Sequence, residues 1–281
     1  MTTLLSHQPG HRLAVAPVAI EHQRYDTRSR DFSALASIFK RAGAAQGTDA
    51  GSARSFWRES LTLMEKHLEF GRRKVQANDQ IYLCGQVFDT LYLVSSGLFK
   101  IVNLASDGRE QPVGLYFKGD WLGFDGIPTG RHACSAIALD GGEVWTVRYD
   151  ALLRASADEP MVMRVLFAAM SSQLTRNRDA MLSMGTLAAD ARVADFLLQW
   201  AQSLAERGLR TDQINVHMTR ADMGNYLGMT LESVSRAFSR LARCGVIQFK
   251  EKGRREISIP SLAALRDFIQ ASADAATPTL H

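Results

Sequence analysis

The pattern of hydrophobic and polar positions changes twice along the 281-residue chain. From residue 56 to 158, short apolar runs such as "TLYLVSSGLFKIVNL" alternate with glycine turns. Runs rich in Val, Ile, Tyr and Phe at this spacing predict an antiparallel β-roll of the jelly-roll type. The turns "SDG" at 106–108 and "DGG" at 140–142 are predicted hairpins, because glycine supplies the positive φ that such turns need.

From residue 159 to 185 the apolar positions follow a helical period. The seam of a coiled coil, with alternating steps of four and three, is formed by Met163, Phe167, Met170, Leu174, Asn177, Met181 and Met184. A seam of this kind is often plain core, but a long helix between two compact parts leaves one face uncovered. We therefore predict a dimerisation helix, in which Asn177 helps to set the register at some cost in stability.

The last part, residues 186–281, begins with a helix over about 190–206 and continues with two helices around a tight turn. In "MTRADMGNYLGMTLESVSRAFSRL", Thr219 and Thr230 are predicted to cap the helices and Gly228 to end the first one. Their inward faces are Met223 and Leu227, then Val234, Phe238 and Leu241. The segment "VIQFKEKGRREISI" predicts a two-stranded wing. The sequence thus predicts an α+β fold that ends in a winged helix-turn-helix.

Positive charge is concentrated in this last part. The whole chain has a net charge of +4, and residues 219–256 alone hold eight Lys or Arg against four acids. The excess of four in this segment equals the net charge of the chain, so the rest is close to neutral. A basic excess on a compact helical unit predicts binding to a polyanion.

The outward face of the second helix carries the chemistry that a DNA major groove requires. Arg236 can donate two hydrogen bonds to guanine, Glu232 can accept one from cytosine, and Ser235 lies between them. Contacts to the phosphate backbone are predicted for Thr219, Arg220, Ser239, Arg240, Arg243, Lys250, Lys252, Arg254 and Arg255. Double-stranded DNA is therefore the predicted partner.

Other classes of function have less support in the sequence. No P-loop, G-x-S-x-G or H-E-x-x-H motif is present, so no enzyme is predicted. Three widely separated cysteines predict neither a disulfide framework nor a metal pair. No apolar run approaches the roughly 18 residues of a membrane span, and we expect a cytoplasmic protein without membrane contact. The composition of residues 1–55, rich in Ala, Ser, Gly, His and Arg with weak periodicity, predicts a flexible extension. A protein whose winged head docks another protein is the rival hypothesis.

These motifs resemble the CRP/FNR superfamily of bacterial transcription regulators, in its FNR-like branch. The resemblance covers about residues 60–265 and is carried by "LYLVSSGLFKI", "FKGDWLGFDGI" and above all the helix-turn-helix segment. It implies a roll like a cyclic-nucleotide-binding domain, and a homodimer on a palindrome with TTGAT half-sites. It also implies base reading by Glu232, Ser235 and Arg236. Since roll loops of the family contact RNA polymerase, the resemblance implies such a contact at Asp107, Gly108 and Arg109.

The chain departs from the family at positions that would sense a signal. Members with a [4Fe–4S] cluster use N-terminal cysteines and one roll cysteine. Here no cysteine precedes Cys84, and Trp145 aligns with the roll ligand, so no cluster is expected. Phe124 and Cys134 stand where relatives place the Glu and Arg that hold a cyclic nucleotide. Cyclic AMP is not expected either, because its buried phosphate would lack a cation.

Three interpretations of the roll stay open, and no cofactor is predicted. In the first, the roll binds nothing, and neutral Asn177 favours this interpretation, because the acid that aligns with it in FNR opposes dimerisation. Alternatively the roll binds haem or another small ligand, for which His67 and His132 are available. Thirdly, Cys84 or Cys134 acts as a redox switch, although isolated roll cysteines are often small core residues. The sequence names neither the signal, the target genes nor the direction of regulation.

Overall fold

The structure is a computed structural model that describes residues 60–104, 108, 110–250 and 255–276. Within these residues the chain forms the predicted α+β fold, with a β-roll, a long helix and a winged helix-turn-helix in that order. No helix in the described part of the chain is long and apolar enough to cross a membrane. The predicted extension at 1–55 lies outside the described residues.

The β-roll follows a short helix, α1, at residues 60–67. Its strands are β1 (Gly71–Val75), β2 (Gln80–Tyr82), β3 (Thr90–Ser96), β4 (Phe99–Leu104), β5 (Glu110–Tyr116), β6 (Trp121–Leu122), β7 (Ser135–Ala138) and β8 (Gly142–Arg148). One antiparallel sheet has the order β1-β8-β3-β6 and the other has the order β2-β7-β4-β5. Facing side chains of the two sheets, among them Tyr92, Phe99 and Val144, form the roll core.

Strand β3 shows how the roll packs on two sides. Its sequence "TLYLVSS" is buried at four consecutive positions, and successive side chains of a strand point to opposite faces. Tyr92 and Val94 lie in the roll core, whereas Leu91 and Leu93 lie in a second cluster with the helices that follow. A strand covered on both faces needs a continuous apolar run rather than an alternating one.

The two predicted hairpins have different outcomes. Strands β4 and β5 pair around the turn at 106–108, with Leu104 opposite Glu110, so the first prediction is confirmed. The prediction for 140–142 is wrong, because this turn joins β7 of one sheet to β8 of the other. Glycine is needed there for close approach: a Cβ on Gly142 would lie 2.3 Å from the Ser96 carbonyl oxygen.

Two helices lead away from the roll, α2 (Tyr149–Asp158) and the long α3 (Pro160–Thr186). Glu159 separates them, since its carboxylate accepts a hydrogen bond from the Met161 N–H at 3.2 Å and Pro160 takes the first position of α3. The first half of α3 is anchored on the roll through the buried residues Val162, Val165, Leu166 and Ala169.

The C-terminal part, here called the head, begins after α3. Its elements are α4 (Ala189–Glu206), β9 (Gln213–Asn215), α5 (Arg220–Leu227), α6 (Leu231–Arg243), β10 (Gln248–Phe249), β11 (Glu256–Ser258) and α7 (Leu262–Ala276). Helices α5 and α6 form the predicted helix-turn-helix, and β10 and β11 form the predicted wing. Strand β9 pairs with β11 and adds a third strand that the sequence analysis did not predict. The core of the head includes Val193, Leu197, Met223, Val234, Phe238 and Leu241.

The head packs directly on the roll. Leu98 and Leu139 of the roll belong to the same buried cluster as the core of the head. The rings of Phe117, after β5, and Trp200, in α4, meet edge to face with centroids 5.6 Å apart. One continuous apolar cluster therefore joins the two parts.

Gly224 in α5 lies under the turn of the helix-turn-helix. A Cβ at this position would be 2.6 Å from the carbonyl oxygen of Met229 in the turn. We expect Gly224→Ala to lower the free energy of unfolding by about 1–3 kcal/mol, because the backbone must move to admit the methyl group. Chemical denaturation followed by circular dichroism measures this change.

Gly185 in α3 provides the matched control. A Cβ there would meet nothing within 4 Å among the described residues. Gly185→Ala should raise the free energy of unfolding by about 0.5–1 kcal/mol, since alanine is the better helix former. If both substitutions stabilise the protein, the close packing at Gly224 is not what restricts that position.

Candidate nucleic-acid interface

Helix α6 presents an apolar face to the head and a charged face to solvent. Its start is fixed by Thr230, whose hydroxyl oxygen accepts a hydrogen bond from the Ser233 N–H at 3.2 Å, as predicted. The buried face consists of Val234, Ala237, Phe238 and Leu241. The exposed face includes Glu232, Arg236, Arg240 and Arg243. A helix of this kind can enter a groove of DNA without uncovering the core.

The three predicted base-reading residues lie together near the start of α6. Glu232 and Arg236 are exposed and one helical turn apart, and Ser235 beside them is half-buried. The Glu232 backbone N–H, the Thr230 hydroxyl and the nearby Arg236 lower the pKa of the Glu232 carboxyl. Glu232 is therefore an anion at neutral pH, which accepts hydrogen bonds and donates none.

The turn between α5 and α6 is held by Arg192 of α4, which the sequence analysis missed. Gly228 ends α5 in the left-handed region, with a φ of 64°. The Arg192 guanidinium donates hydrogen bonds to the carbonyl oxygens of Leu227, at 3.1 Å, and Leu187, at 3.0 Å. Arg192 thus ties this turn to the segment between α3 and α4. No local pattern marks it, because Leu227 lies 35 residues further along the chain.

Three of the predicted phosphate contacts make bonds inside the head. The Thr219 hydroxyl oxygen caps α5 by accepting a backbone N–H at 3.0 Å. The Arg220 guanidinium lies over the ring of Phe238, 3.6 Å from its centroid. The Ser239 hydroxyl donates to the carbonyl oxygen of Ser235 at 3.0 Å. These side chains stabilise the head whether or not they also touch DNA.

Arg240 has an acidic partner that the sequence analysis did not identify. Its guanidinium forms an ion pair with a carboxylate oxygen of Asp190 in α4 at 2.7 Å, and the Arg240 side chain is 61% exposed. The pair braces the end of α6 against the start of α4. It restricts the motion of the Arg240 side chain, most of which faces solvent.

The other predicted phosphate contacts lie at the end of α6 and on the wing. Arg243, Lys250 and Arg255 are exposed. The Lys250 ammonium lies 3.9 Å from a carboxylate oxygen of Glu256 on β11, the strand that pairs with β10. Lys252 and Arg254 are outside the described residues. The side chains of Arg243, Lys250 and Arg255 are therefore accessible to a phosphate.

The predicted dimer seam lies along the solvent side of α3. The side chains of Phe167, Leu174 and Met181 are 60%, 69% and 69% exposed, and Asn177 is exposed between them. Met170 and Met184 are half-buried. Met163 differs from the rest of the seam, because it packs against the cluster that joins α3 to the roll.

The roll segment that resembles a phosphate-binding loop closes on a carboxylate of its own chain. Asp125, next to Phe124, accepts hydrogen bonds from the backbone N–H groups of Ala133, at 2.8 Å, and Cys134, at 3.3 Å. The Tyr82 hydroxyl also lies 3.3 Å from Asp125. A phosphate at this loop would have to compete with an anion for the same N–H groups.

The two histidines considered as haem ligands have different surroundings. His67 is exposed at the end of α1. His132 is 3% exposed and stacks on the ring of Tyr82, with centroids 3.7 Å apart. Its Nδ1 lies 3.5 Å from an Asp125 oxygen but makes no hydrogen bond with any described residue. Within the described residues, no three His, Cys, Asp or Glu side chains come together as a metal-binding group.

Other positions singled out for sensing are also packed by protein groups. The Trp145 indole N–H donates to Glu143 at 2.7 Å. Cys84 is exposed and Cys134 is buried. Burial, followed by the Asp125 carboxylate, raises the pKa of the Cys134 thiol, which disfavours the reactive thiolate. Of the two cysteines considered as redox switches, Cys84 is the accessible one.

Of the three residues predicted to contact RNA polymerase, Gly108 is the one that the structure describes. Gly108 has a left-handed φ of 81°. Asp107 and Arg109 are outside the described residues.

Comparisons with known proteins match both parts of the chain. Residues 72–159 match the cyclic nucleotide-binding domain, and residues 191–268 match the Crp-like helix-turn-helix domain. The transcriptional regulatory protein btr of Bordetella pertussis is 33% identical over 194 residues, which cover 69% of this chain and 80% of that protein. The fumarate and nitrate reduction regulatory protein of Escherichia coli K12 is 30% identical over 181 residues, which cover 64% of this chain and 72% of that protein.

A solved structure gives the same result. FixK2 from Bradyrhizobium japonicum aligns with a TM-score of 0.64 at 30% sequence identity. The alignment covers 71% of this chain and 97% of that structure.

Proposed function

Because the chain belongs to the CRP/FNR family of transcription regulators, we propose that it binds as a homodimer to a DNA palindrome with TTGAT half-sites. It is a DNA-binding transcription regulator and not an enzyme, in line with the regulators that it matches. The palindrome, the homodimer and independence from a bound signal go beyond family membership and form the proposal.

The outward face of α6 is the observation that carries the proposal. Glu232 and Arg236 stand one turn apart on an exposed face, with Ser235 between them. An anion on a DNA-facing helix is repelled by phosphates, so Glu232 is useful there only if it accepts from a base. Arg236 supplies the bidentate donor that recognises guanine. Together they favour sequence-specific binding over general attraction to DNA.

The seam on α3 supports the homodimer. Phe167, Leu174 and Met181 repeat every seven residues and are more than half exposed in the single chain. A second copy of the same helix presents the same repeat, so the three residues would be buried in register. Asn177 between them carries no charge that would oppose this pairing.

The closed loop in the roll supports independence from a cyclic nucleotide. Asp125 already accepts the N–H groups of Ala133 and Cys134 that a phosphate would need. Burying a phosphate beside this carboxylate would place two anions together without a compensating cation. We therefore propose that the dimer is competent for DNA without a cyclic nucleotide. We propose that it needs no iron–sulfur cluster either, because Cys84 is the first cysteine of the sequence.

The remaining elements of the proposal follow from the family. The turn at 107–109 is proposed as a contact for RNA polymerase, and the cytoplasm as the place where the regulator meets both polymerase and DNA. We propose the same division of the chain as before: residues 56–158 as the sensor-like roll, 159–185 as the dimerisation helix and 186–281 as the DNA-binding domain.

The proposal is tested with wild-type protein that has been purified in air. It should bind a TTGAT-N4-ATCAA duplex with a Kd on the order of 10⁻⁸ M, weakening steeply with salt, and should ignore a duplex with scrambled half-sites. Size-exclusion chromatography of the same sample should show a colourless dimer. A monomer, a visible chromophore, or equal binding to both duplexes would contradict the proposal.

Arg236→Ala and Lys250→Ala separate base reading from phosphate contact. Loss of a bidentate contact in Arg236→Ala should cost about 1–3 kcal/mol on the palindrome and relax the choice at one base pair. Lys250→Ala should weaken all duplexes alike and reduce the slope of log K against log salt by about 1. Binding titrations on single-base variants of the half-site measure both effects. Identical profiles for the two variants would show that their roles are wrongly assigned.

Leu174→Glu tests the seam on α3. Two buried leucines per dimer would be replaced by charges, so the dimer Kd should rise at least about 100-fold, on the order of 3 kcal/mol. Ser172→Glu is the matched control, because Ser172 is exposed on the same helix but outside the seam. Analytical ultracentrifugation measures both variants. A monomeric Ser172→Glu, or a dimeric Leu174→Glu, would place the dimer contact elsewhere.

A further inference from the structure

A buried carboxylate lies where the roll, the long helix and the head meet. Asp120, at the turn between β5 and β6, is 3% exposed. Its Oδ1 accepts a hydrogen bond from Arg176 of α3 at 3.1 Å and another from Arg207, just after α4, at 3.0 Å. One oxygen atom of the roll thus binds both the long helix and the head.

The turn that carries Asp120 is itself rigid. Asp120 Oδ2 accepts the Phe117 N–H at 2.8 Å, and the Asp120 N–H donates back to the Phe117 carbonyl oxygen at 2.9 Å. Gly119 supplies the positive φ of 88° that the turn requires. The Val94 N–H of the neighbouring strand donates to the Asp120 carbonyl oxygen at 2.9 Å. The carboxylate is therefore held by backbone bonds independently of the two arginines.

Arg207 is fixed from all sides. Its side chain is 5% exposed, and its other donors bond to the carbonyl oxygens of Lys118 and Ser203. The guanidinium also lies over the ring of Phe117, 5.3 Å from the centroid. Because all three nitrogens of the planar Arg207 guanidinium are hydrogen-bonded, the group has little freedom to move. The end of α4 is therefore fixed relative to the roll.

Arg176 makes the connection to the long helix. It lies on α3 one residue before Asn177 of the seam, and its side chain is 40% exposed. Because α3 is the predicted dimerisation helix, a link from Arg176 through Asp120 to Arg207 joins the dimer axis to the head.

We propose that Asp120 is a positioning residue that fixes the orientation of the head relative to α3, and thereby the spacing of half-sites that the dimer accepts. The proposal rests on the homodimer and palindrome proposed above. Two recognition helices must reach grooves on the order of one DNA turn, about 34 Å, apart. Rigid heads accept one spacing, whereas heads that swing accept several.

Spacer selectivity distinguishes positioning from a merely structural role. Unlabelled full-length protein is titrated with TTGAT palindromes that have spacers of four and six base pairs. Wild type should prefer four by at least about tenfold, and Asp120→Asn should reduce this ratio below about threefold, because its heads are no longer fixed. A loss of folded protein lowers both affinities but leaves their ratio unchanged, so a lower affinity with an unchanged ratio would overturn the proposal.

The chain offers a matched control at the same boundary. Asp140 of the roll pairs with His217 of the head at 3.2 Å, but its side chain is 49% exposed. Asp140→Asn removes a carboxylate from this boundary without touching Arg176 or Arg207. It should keep the wild-type ratio of spacer affinities. A ratio that falls as far as in Asp120→Asn would show that Asp120 has no special role.

Head orientation can also be measured without DNA. Cys84 in the roll and Cys244 at the end of α6 are both exposed, whereas Cys134 is buried. Nitroxide labels on the two exposed thiols, with labelled chains diluted in unlabelled protein, report the roll-to-head distance by double electron–electron resonance. Wild type should give one narrow distance distribution and Asp120→Asn a broad one. An equally narrow distribution in the variant would overturn the proposal.

The distance measurement separates a failure of the proposed palindrome from a failure of the role proposed for Asp120. If wild type ignores every TTGAT duplex, the proposed palindrome is wrong, and the distance distributions alone decide the role of Asp120. If Asp120→Asn does not fold, Arg207→Gln removes the hydrogen bond from the head to Asp120 and leaves the one from Arg176 in place. It should then broaden the distribution, and a narrow one would overturn the proposal.

Discussion

The packing of the head against the roll is the constraint on which the rest of the structure depends. Leu98 and Leu139 of the roll complete the core of the head, and Phe117 covers Trp200. The apolar surface that the roll and the head bury against each other contributes to the stability of both parts. It also leaves the charged face of α6 in solvent. The same contact thus stabilises the head and decides which of its faces is available for DNA.

The basic residues of the head divide into two groups with different physical roles. Arg192 and Arg207 donate to backbone carbonyl oxygens, and Arg220 lies over an aromatic ring, so these cations hold the head together. Arg236 and Arg243, by contrast, extend from the exposed face of α6. Of the eight cations counted in residues 219–256, Arg220 belongs to the first group, so the count overstates the number of side chains available to a polyanion. Burial and hydrogen-bond partners are what distinguish them.

The roll has the fold of a cyclic nucleotide-binding domain, but its own side chains occupy the loop that resembles a phosphate site. Asp125 satisfies two backbone N–H groups there, and His132 stacks beside it on Tyr82. Satisfied donors and a stacked ring stabilise the closed loop as it is. The roll also anchors α3 on one side and carries the head on another. Fold and ligand are thus separate questions in this family.

The sequence by itself determined the features that depend on neighbours a few residues away. The helical seam, the caps at Thr219 and Thr230, the inward face of α6 and the exposed Glu232 and Arg236 all follow from short-range periodicity and capping. The hairpin predicted at 140–142 is wrong. The residues of a turn do not show whether the two strands that it joins pair with each other or belong to different sheets.

Only the tertiary structure decided the long-range partners. Asp120 meets Arg176 and Arg207 across 56 and 87 positions of the chain, and Arg240 of α6 meets Asp190 of α4. Such pairs depend on how whole units pack, which no local pattern records.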